Sequence, residues 1–114
     1  MDKIRQALTT NISLTDKEAQ IFLFLTMHGK NTLGGVSDSI KFSEKETKQL
    51  LCSLIEKGLV MELSGGYQIF HPKFSIINAY RLHCKKTGVE FKKNIVIDNL
   101  ASTIERIHES ARTK

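Results

Sequence analysis

The side chains best suited to chemistry in this sequence are lysine, glutamine and hydroxyl groups near the start of one predicted helix, Glu44 to Lys57. Lysine and glutamine at this position can bond base edges in the major groove, and hydroxyl groups at helix N-termini bind phosphate oxygens. Together with a tyrosine of the following hairpin, the candidates are Thr32, Lys41, Ser43, Lys45, Lys48, Gln49 and Tyr67. The pattern predicts contact with double-stranded DNA.

A second group of cations follows the hairpin. The 114 residues carry a net charge of +5, which favours a nucleic-acid partner. Six lysines against seven acidic residues leave residues 12–72 at −1, whereas nine basic residues against four acidic ones leave residues 73–114 at +5. In this basic part, Lys73, Lys85 and Lys86 are further candidates for phosphate contact. The alternative for these three lysines is a solvated helix face that keeps the protein soluble.

Catalytic and metal sites lack a supporting motif. Cys52 and Cys84 are the only cysteines, and no CxxC or HxxxH pair occurs, so we expect free thiols and no metal site. Gly34-Gly35 is not followed by the Lys-Ser/Thr of a phosphate-binding glycine loop. We therefore expect neither enzyme activity nor a cofactor. Cys52 is either a small apolar residue or, on an exposed face, a redox-sensitive thiol.

Neither a membrane span nor an export signal is expected. The chain has no apolar run of about 18 residues. Its first residues, MDKIRQALTT, lack the apolar core of a signal peptide. A cytoplasmic location is the expectation.

A short helix from Asp2 to Thr9 and three capped helices are predicted before the hairpin. Thr15 caps a largely apolar helix that ends before Gly29, and Thr32 caps a short helix that ends at Ile40. After a turn of about three residues, Ser43 caps the third helix, the predicted recognition helix. The residues three positions after Thr15 and Ser43 are both glutamate, which is the spacing of a capping box.

A two-stranded hairpin follows the third helix. Leu59–Leu63 and Tyr67–His71 have strand character, and Ser64-Gly65-Gly66 between them predicts a turn. Helix, short helix, tight turn, helix and hairpin is the order of a winged helix-turn-helix. We therefore expect a fold that is mainly α with a small β-hairpin (α+β), with the winged domain in residues 1–72 and a basic helical extension in residues 73–114.

The extension carries an apolar seam with gaps of three and four residues. The seam consists of Val89, Ile97, Leu100, Ile104, Ile107 and Ala111. It is too long to be buried by so small a domain, so the prediction is a long C-terminal helix that forms a coiled coil in a homodimer. Packing of the seam onto the same chain is the alternative. Thr87-Gly88 leaves open whether the extension is one helix or two.

Two stretches resemble a known family. LTDKEAQIF, from Leu14 to Phe22, resembles the LTxxEAxIY opening of archaeal TrmB-like transcriptional regulators. LLCSLIEKGLV, from Leu50 to Val60, resembles the ALxxLxEKGLV that ends their recognition helix and begins their wing. The resemblance covers about Ile12 to Pro72.

This resemblance implies a transcriptional regulator whose winged helix binds double-stranded DNA and which dimerises through a C-terminal helix. The large sugar-binding domain of full-length regulators is not expected here, so no sugar-sensing role is expected either. The alternative is a winged helix used for protein contacts in a larger assembly, because residues 12–72 carry a charge of −1 and the turn of the wing has no lysine or arginine.

Overall fold

The computed structural model describes residues 2–112, which form helices and one hairpin. The elements are α1 Asp2–Ile12, α2 Asp16–His28, α3 Leu33–Ile40, α4 Glu44–Glu56, β1 Val60–Leu63, β2 Gly66–Ile69, α5 Pro72–Thr87 and α6 Ile95–Arg112. The predicted winged helix-turn-helix of mixed α+β class is confirmed. The outer ends of the two predicted segments, residue 1 and residues 113–114, lie outside the described residues. Within the described part, none of the helices has the length and apolar character needed to cross a membrane.

Side-chain caps start the three helices of the winged domain. The Thr15 hydroxyl accepts a hydrogen bond from the Glu18 amide, and the Glu18 carboxylate accepts one from the Thr15 amide, so the predicted capping box is confirmed. Ser43 likewise caps α4 by accepting from the Glu46 amide. The Glu46 carboxylate pairs instead with Lys17, with Nζ and Oε2 2.6 Å apart, and this ion pair ties α2 to α4.

The turn between α3 and α4 is tight. Lys41 adopts a left-handed conformation with φ of 68°, and its amide bonds the Ser37 carbonyl at 2.8 Å. The amide of Phe42 bonds the same carbonyl at 3.2 Å. Ser43 then begins α4, so the chain reverses within three residues and sets α3 against α4.

The hairpin has a two-residue turn. Ser64 and Gly65 both have positive φ, 44° and 80°, the combination that fits the twist of a short hairpin. Leu63 pairs with Gly66, so Gly66 belongs to β2 rather than to the predicted three-residue turn. Asn31 forms an antiparallel bridge with Tyr67 and thereby fixes the wing to the chain just before α3.

The core surrounds α2, as its apolar circumference predicts. Its fully buried side chains come from every layer of the molecule and include Leu8, Phe22, Leu25, Val36, Leu51, Leu54, Leu59, Ile76 and Ile104. Helix α6 therefore contributes to the same core as the winged domain.

The C-terminal part consists of two antiparallel helices rather than one long helix. Gly88 ends α5 in a left-handed conformation, and Glu105 of α6 lies 3.7 Å from His71 and 3.6 Å from Lys73 at the start of α5. Residues 88–94 connect the two helices at the opposite end.

The structure also corrects the predicted use of the apolar seam. Ile97, Leu100 and Ile104 are buried in the core of their own chain. Ile107 and Ala111 are half-buried, whereas Val89 is exposed. The coiled coil is not confirmed. The chain reverses its direction at residues 88–94, so that α2 and α5 of the same chain cover the buried part of the seam. The alternative, packing onto the same chain, describes the structure.

Candidate nucleic-acid interface

One face of α4 lies in the core and the other faces solvent. Thr47, Leu51 and Leu54 are buried against the rest of the domain. The helical repeat therefore turns the side chains between them outward. The exposed residues of this outer face are Glu44, Lys45, Lys48, Gln49, Cys52 and, at the end of the helix, Glu56. Three predicted DNA-binding residues thus share one solvent-facing surface on the N-terminal half of the helix.

Three more candidates lie at the helix ends next to this surface. Thr32, Lys41 and Ser43 are all exposed. The Thr32 hydroxyl oxygen accepts a hydrogen bond from the Gly35 amide, as the Ser43 oxygen does within α4. Each hydroxyl still has its own hydrogen to donate to a phosphate oxygen. The structure therefore brings Thr32, Lys41 and Ser43 to the edge of the α4 surface.

Lys48 is held in place by Tyr67 of the wing strand β2. Its ammonium nitrogen donates to the Tyr67 hydroxyl at 3.0 Å and lies 5.7 Å from the centre of the Tyr67 ring. This hydrogen bond, with the negative charge of Glu62, raises the pKa of Lys48 above its ordinary value. Lys48 therefore presents its charge from a defined position.

Tyr67 itself is not where the sequence prediction placed it. Only 3% of the residue is exposed, so its ring cannot lie along a sugar-phosphate backbone from the wing. The alternation of β2 carried this information, because Tyr67 and Ile69 point to the same side of the strand and Ile69 belongs to the core. Tyr67 contributes to this surface by accepting the hydrogen bond that positions Lys48.

Lys30 is a residue of this surface that the sequence analysis missed. A Cβ atom added to Gly66 would lie 2.8 Å from Lys30 Cε, so the lysine stem lies against β2 next to the turn of the wing. Its side chain is exposed and follows α2 directly. The bridge between Asn31 and Tyr67 brings it there, and the sequence carries no signal for that pairing.

The tip of the wing is short and carries no cation. Glu62, Leu63, Ser64 and Gly65 are exposed, and Leu63 is 42% exposed. The antiparallel register sets Glu62 opposite Tyr67 and close to Lys48. The wing therefore contributes Tyr67 of β2 to this surface and has no basic group among the residues of its tip.

The basic residues of α5 lie apart from the α4 surface. Lys73 pairs with Glu105 of α6. Lys86 lines a small cleft together with Lys57, at the C-terminal end of α4, and Lys85 is exposed beside it. The structure thus does not bring Lys73, Lys85 and Lys86 together with the residues at the start of α4.

A buried carboxylate anchors α4 to the start of α2. Glu18 is 2% exposed, and its carboxylate accepts hydrogen bonds from Lys57 at 2.8 Å, from the Thr15 amide at 2.8 Å and from the Ser53 hydroxyl. Burial raises the pKa of Glu18, but these hydrogen bonds and the charge of Lys57 outweigh burial and lower it. Lys57 also donates to the Ser13 carbonyl at 3.3 Å.

The described residues hold no cluster of histidine, cysteine, aspartate and glutamate able to bind a metal ion. Cys52 is exposed on α4 and Cys84 is buried in α5, and both are free thiols. The arrangement is thus a polar, partly cationic surface with no metal centre among the described side chains. Its chemistry is hydrogen bonding and charge pairing.

Comparison with known proteins gives one match. Residues 8–74 match the family model described as "Sugar-specific transcriptional regulator TrmB". No curated protein and no solved structure matches the chain. The matched segment runs from the end of α1, through the α4 surface and the hairpin, to the start of α5.

Proposed function

Because the chain belongs to the TrmB family of transcriptional regulators, whose model matches residues 8–74, we propose that it binds duplex DNA through the outer face of α4. The observation that carries this proposal is the outward group of Lys45, Lys48 and Gln49 on the N-terminal half of that helix. In a helix-turn-helix this half of the recognition helix meets base edges in the major groove.

The side chains divide into base-reading and phosphate-binding groups. Gln49 can pair with adenine, and Lys45 can reach guanine or phosphate. Lys48 is suited to phosphate, because it is a cation whose bond to Tyr67 fixes its position. Thr32 and Ser43 offer hydroxyl groups beside it, and Lys30 and Lys41 add charge at the edges. Phosphate contacts set the register, and Gln49 is the residue proposed to give sequence preference.

Titration of the purified protein into a labelled pool of random-sequence duplexes tests this proposal, with fluorescence polarisation measured at low and physiological salt. Lys45→Ala with Lys48→Ala should weaken binding about tenfold or more at low salt. The slope of log affinity against log salt concentration should become less steep by about one to two, because the variant makes fewer phosphate contacts and so releases fewer counterions on binding. Unchanged affinity and slope would contradict the proposed surface.

The matched control removes the same charge elsewhere. Lys85→Ala with Lys86→Ala deletes two lysines that lie away from the N-terminal half of α4. We expect this variant to bind within about threefold of the wild type, since only long-range attraction is lost. Equal losses in both variants would show that binding follows net charge and not the α4 surface.

Protein contact through the wing is the second candidate function. The observation that favours it is the wing tip, which exposes Leu63 beside Glu62 and has no cation among its own residues. An apolar residue next to an acidic one suits a protein surface better than a phosphate backbone. If this is the function, the duplex titration should show no binding at low salt. The Lys45/Lys48 double variant should still recover a protein partner, whereas Leu63→Ser should not.

A further inference from the structure

The end of α5, the connection that follows it and the first turn of α6 expose apolar side chains. Every residue from Lys85 to Lys93 is exposed. The large apolar residues that face solvent here are Val89, Phe91, Ile95 and Val96, with exposures of 58%, 48%, 73% and 49%. Most of the other large apolar residues in the described part of the chain lie in or against the core. Apolar groups gathered on one short surface segment indicate a surface that contacts a partner.

The same stretch, residues 81–96, holds most of the positive charge of the chain. It contains five basic residues and one acidic residue, Glu90, and so carries +4 of the net charge of +5. The five basic residues are all exposed: Arg81, Lys85, Lys86, Lys92 and Lys93. Glu90 lies 3.4 Å from Lys92, but both side chains are largely exposed, so water screens this pair. The charge of this stretch therefore favours an anionic partner.

The connection is bonded to α5 and presents its apolar groups from a defined position. The Phe91 ring lies 5.8 Å from the Tyr80 ring and 5.5 Å from the guanidinium carbon of Arg81. The Asn94 side-chain nitrogen donates to the Tyr80 hydroxyl at 3.3 Å, and its side-chain oxygen accepts from the Val96 amide at 2.9 Å. The exposed apolar side chains thus belong to a built surface next to the first turn of α6.

We propose that residues 81–96, called here the basic-apolar segment, bind the surface of an anionic phospholipid bilayer. The four exposed apolar side chains enter the boundary between head groups and acyl chains, where lipid replaces the water around them. The lysine and arginine side chains bind head-group phosphates and carboxylates, and their long stems keep the charged ends in the head-group layer. This is attachment to a membrane surface and requires no helix that spans it. It does not depend on DNA binding by α4.

A bilayer matches both properties of the basic-apolar segment. A second copy that met the segment symmetrically would bring the five basic residues of both copies together, at an electrostatic cost. A DNA duplex would match the charge, but its phosphate backbone offers no apolar surface to the four exposed apolar side chains. An anionic bilayer presents negative head groups with an apolar layer directly beneath them.

The chain contains no tryptophan, which allows a direct test of insertion. Phe91→Trp keeps an aromatic ring beside Tyr80 and Arg81 and supplies a single tryptophan. With vesicles of phosphatidylcholine that contain about one phosphatidylserine in three lipids, its emission should shift to the blue and be quenched by brominated acyl chains. Vesicles of phosphatidylcholine alone should give neither effect. Failure of the wild type to co-sediment with the anionic vesicles would overturn the proposal and leave an acidic protein surface as the partner class.

Leu63→Trp is the matched control for insertion. Leu63 is also an exposed apolar residue, at 42%, but it lies in β1 of the wing. This variant should co-sediment with the anionic vesicles as the wild type does, while its tryptophan emission stays at the wavelength seen without lipid. An equal blue shift at both positions, or no blue shift in Phe91→Trp, would overturn the assignment of the contact to the basic-apolar segment.

A pair of charge variants separates a specific surface from general attraction. Lys92→Ala with Lys93→Ala should weaken binding to the anionic vesicles about tenfold or more, because two cations next to the head groups are lost. Lys45→Ala with Lys48→Ala removes the same charge from α4 and should bind the vesicles within about threefold of the wild type. Equal losses would show that vesicle binding follows net charge, which would overturn the proposed surface.

The same two variants distinguish a lipid from a nucleic-acid role. In the duplex titration, the Lys92/Lys93 double variant should stay within about threefold of the wild type, since only long-range attraction is lost. A Lys92/Lys93 variant that loses duplex affinity and keeps vesicle affinity would assign the basic-apolar segment to nucleic acid and overturn the proposal. Loss of duplex binding by the wild type would instead contradict only the function proposed for α4.

Ile95→Ser tests the apolar part of the contact. Ile95 is the most exposed of the four apolar residues, so its truncation should weaken vesicle binding at physiological salt by about fivefold. Phe74→Ser is the control, because Phe74 is 66% exposed but lies at the other end of α5. We expect that control to bind as the wild type does. Wild-type affinity of Ile95→Ser would show that the attraction is purely electrostatic and would overturn the proposed insertion.

Discussion

At the scale of single residues, the α4 surface depends on side chains that do not themselves face the proposed duplex. Tyr67 is buried, yet its hydroxyl fixes the ammonium group of Lys48. A free lysine side chain would lose about 2 kcal/mol of rotamer entropy on binding a phosphate, and a lysine already held loses less. The buried tyrosine thus prepares the exposed lysine for contact.

Tyr67→Phe isolates this effect. The substitution removes the hydroxyl and keeps the ring that packs in the core, so we expect the free energy of unfolding to change by less than about 1 kcal/mol. We expect duplex affinity to fall by about three- to tenfold, because Lys48 is no longer positioned. Urea unfolding and the polarisation titration measure the two quantities. The idea fails if Tyr67→Phe has wild-type affinity while Lys48→Ala does not.

Glu18 gives the protein a specific dependence on pH. Its pKa in the folded state is below the ordinary value of 4.5, so folding favours the ionised carboxylate. The ionised carboxylate contributes its full stabilisation when the pH is above the ordinary pKa. This stabilisation is lost as the pH falls through the lower pKa of the folded state. At low pH, Lys57 loses its charged partner and the tie between α2 and α4 weakens.

Glu18→Gln should remove that part of the pH dependence. At neutral pH we expect it to cost about 1–3 kcal/mol of unfolding free energy, since Lys57 keeps its charge without a carboxylate partner. On moving from neutral pH to below pH 4.5, the gap between wild type and variant should narrow. Urea unfolding over a pH series measures both. A gap that stays constant across that range would show that the carboxylate contributes no pH-dependent stability.

At the scale of elements, α3 shows how a helix tolerates two glycines. A Cβ added to Gly34 would make ordinary contact with Glu44 at 3.7 Å. A Cβ added to Gly35 would lie 2.6 Å from the Asn31 side-chain oxygen, and the Asn31 backbone pairs with Tyr67. Gly35 therefore leaves space for Asn31, which joins the wing to α3. Gly34 has no close neighbour that would require a glycine at its position.

The two glycines should respond differently to alanine. We expect Gly34→Ala to raise the free energy of unfolding by about 0.5 kcal/mol through higher helix propensity. Gly35→Ala gains the same propensity but moves the Asn31 amide group and crowds the Thr32 hydroxyl that caps α3, so it should be less stable than Gly34→Ala by about 0.5–1 kcal/mol. Thermal and urea unfolding of both variants provide the comparison. Equal stabilisation by both substitutions would exclude a packing role for Gly35.

The elements before residue 72 could be predicted from the sequence because local signals determine them. Thr15, Thr32 and Ser43 each cap the helix that they were predicted to start. The partner of the Glu46 carboxylate could not be predicted, because capping-box spacing does not reveal that Lys17 of another helix lies within reach. The bridge between Asn31 and Tyr67 is likewise a long-range contact without a local signature.

The candidate nucleic-acid interface was likewise predictable where local signals determine it and not where it depends on long-range contacts. Helical periodicity was sufficient to place Lys45, Lys48 and Gln49 on the outer face of α4. The burial of Tyr67 could have been read from the alternation of β2, whereas the position of Lys30 depends on tertiary pairing. The seam of α6 was recognised, but its partner was not, because an apolar stripe does not specify which surface covers it.

At the scale of the whole molecule, α6 is part of the domain core rather than an appendage. Its buried residues contact the layer formed by α2 and α5, and the described chain has a radius of gyration of 13.4 Å. A compact domain of this length is expected to have a radius of about 13 Å. The winged domain and the predicted extension should therefore unfold together.

Ile104→Ala tests this shared stability. Ile104 is fully buried, so its truncation should cost about 2–5 kcal/mol of unfolding free energy, from lost burial and from the cavity that remains. Ile95→Ala, at a position 73% exposed on the same helix, should cost less than about 0.5 kcal/mol and serves as the control.

Urea unfolding followed by helical circular dichroism and by tyrosine fluorescence should give coincident transitions, both shifted in Ile104→Ala. If the fluorescence transition, which reports Tyr67 of β2 and Tyr80 of α5, keeps its wild-type midpoint while part of the helical signal is lost early, α6 unfolds separately. The core would then have to be divided between a winged domain that is stable alone and a detachable helix.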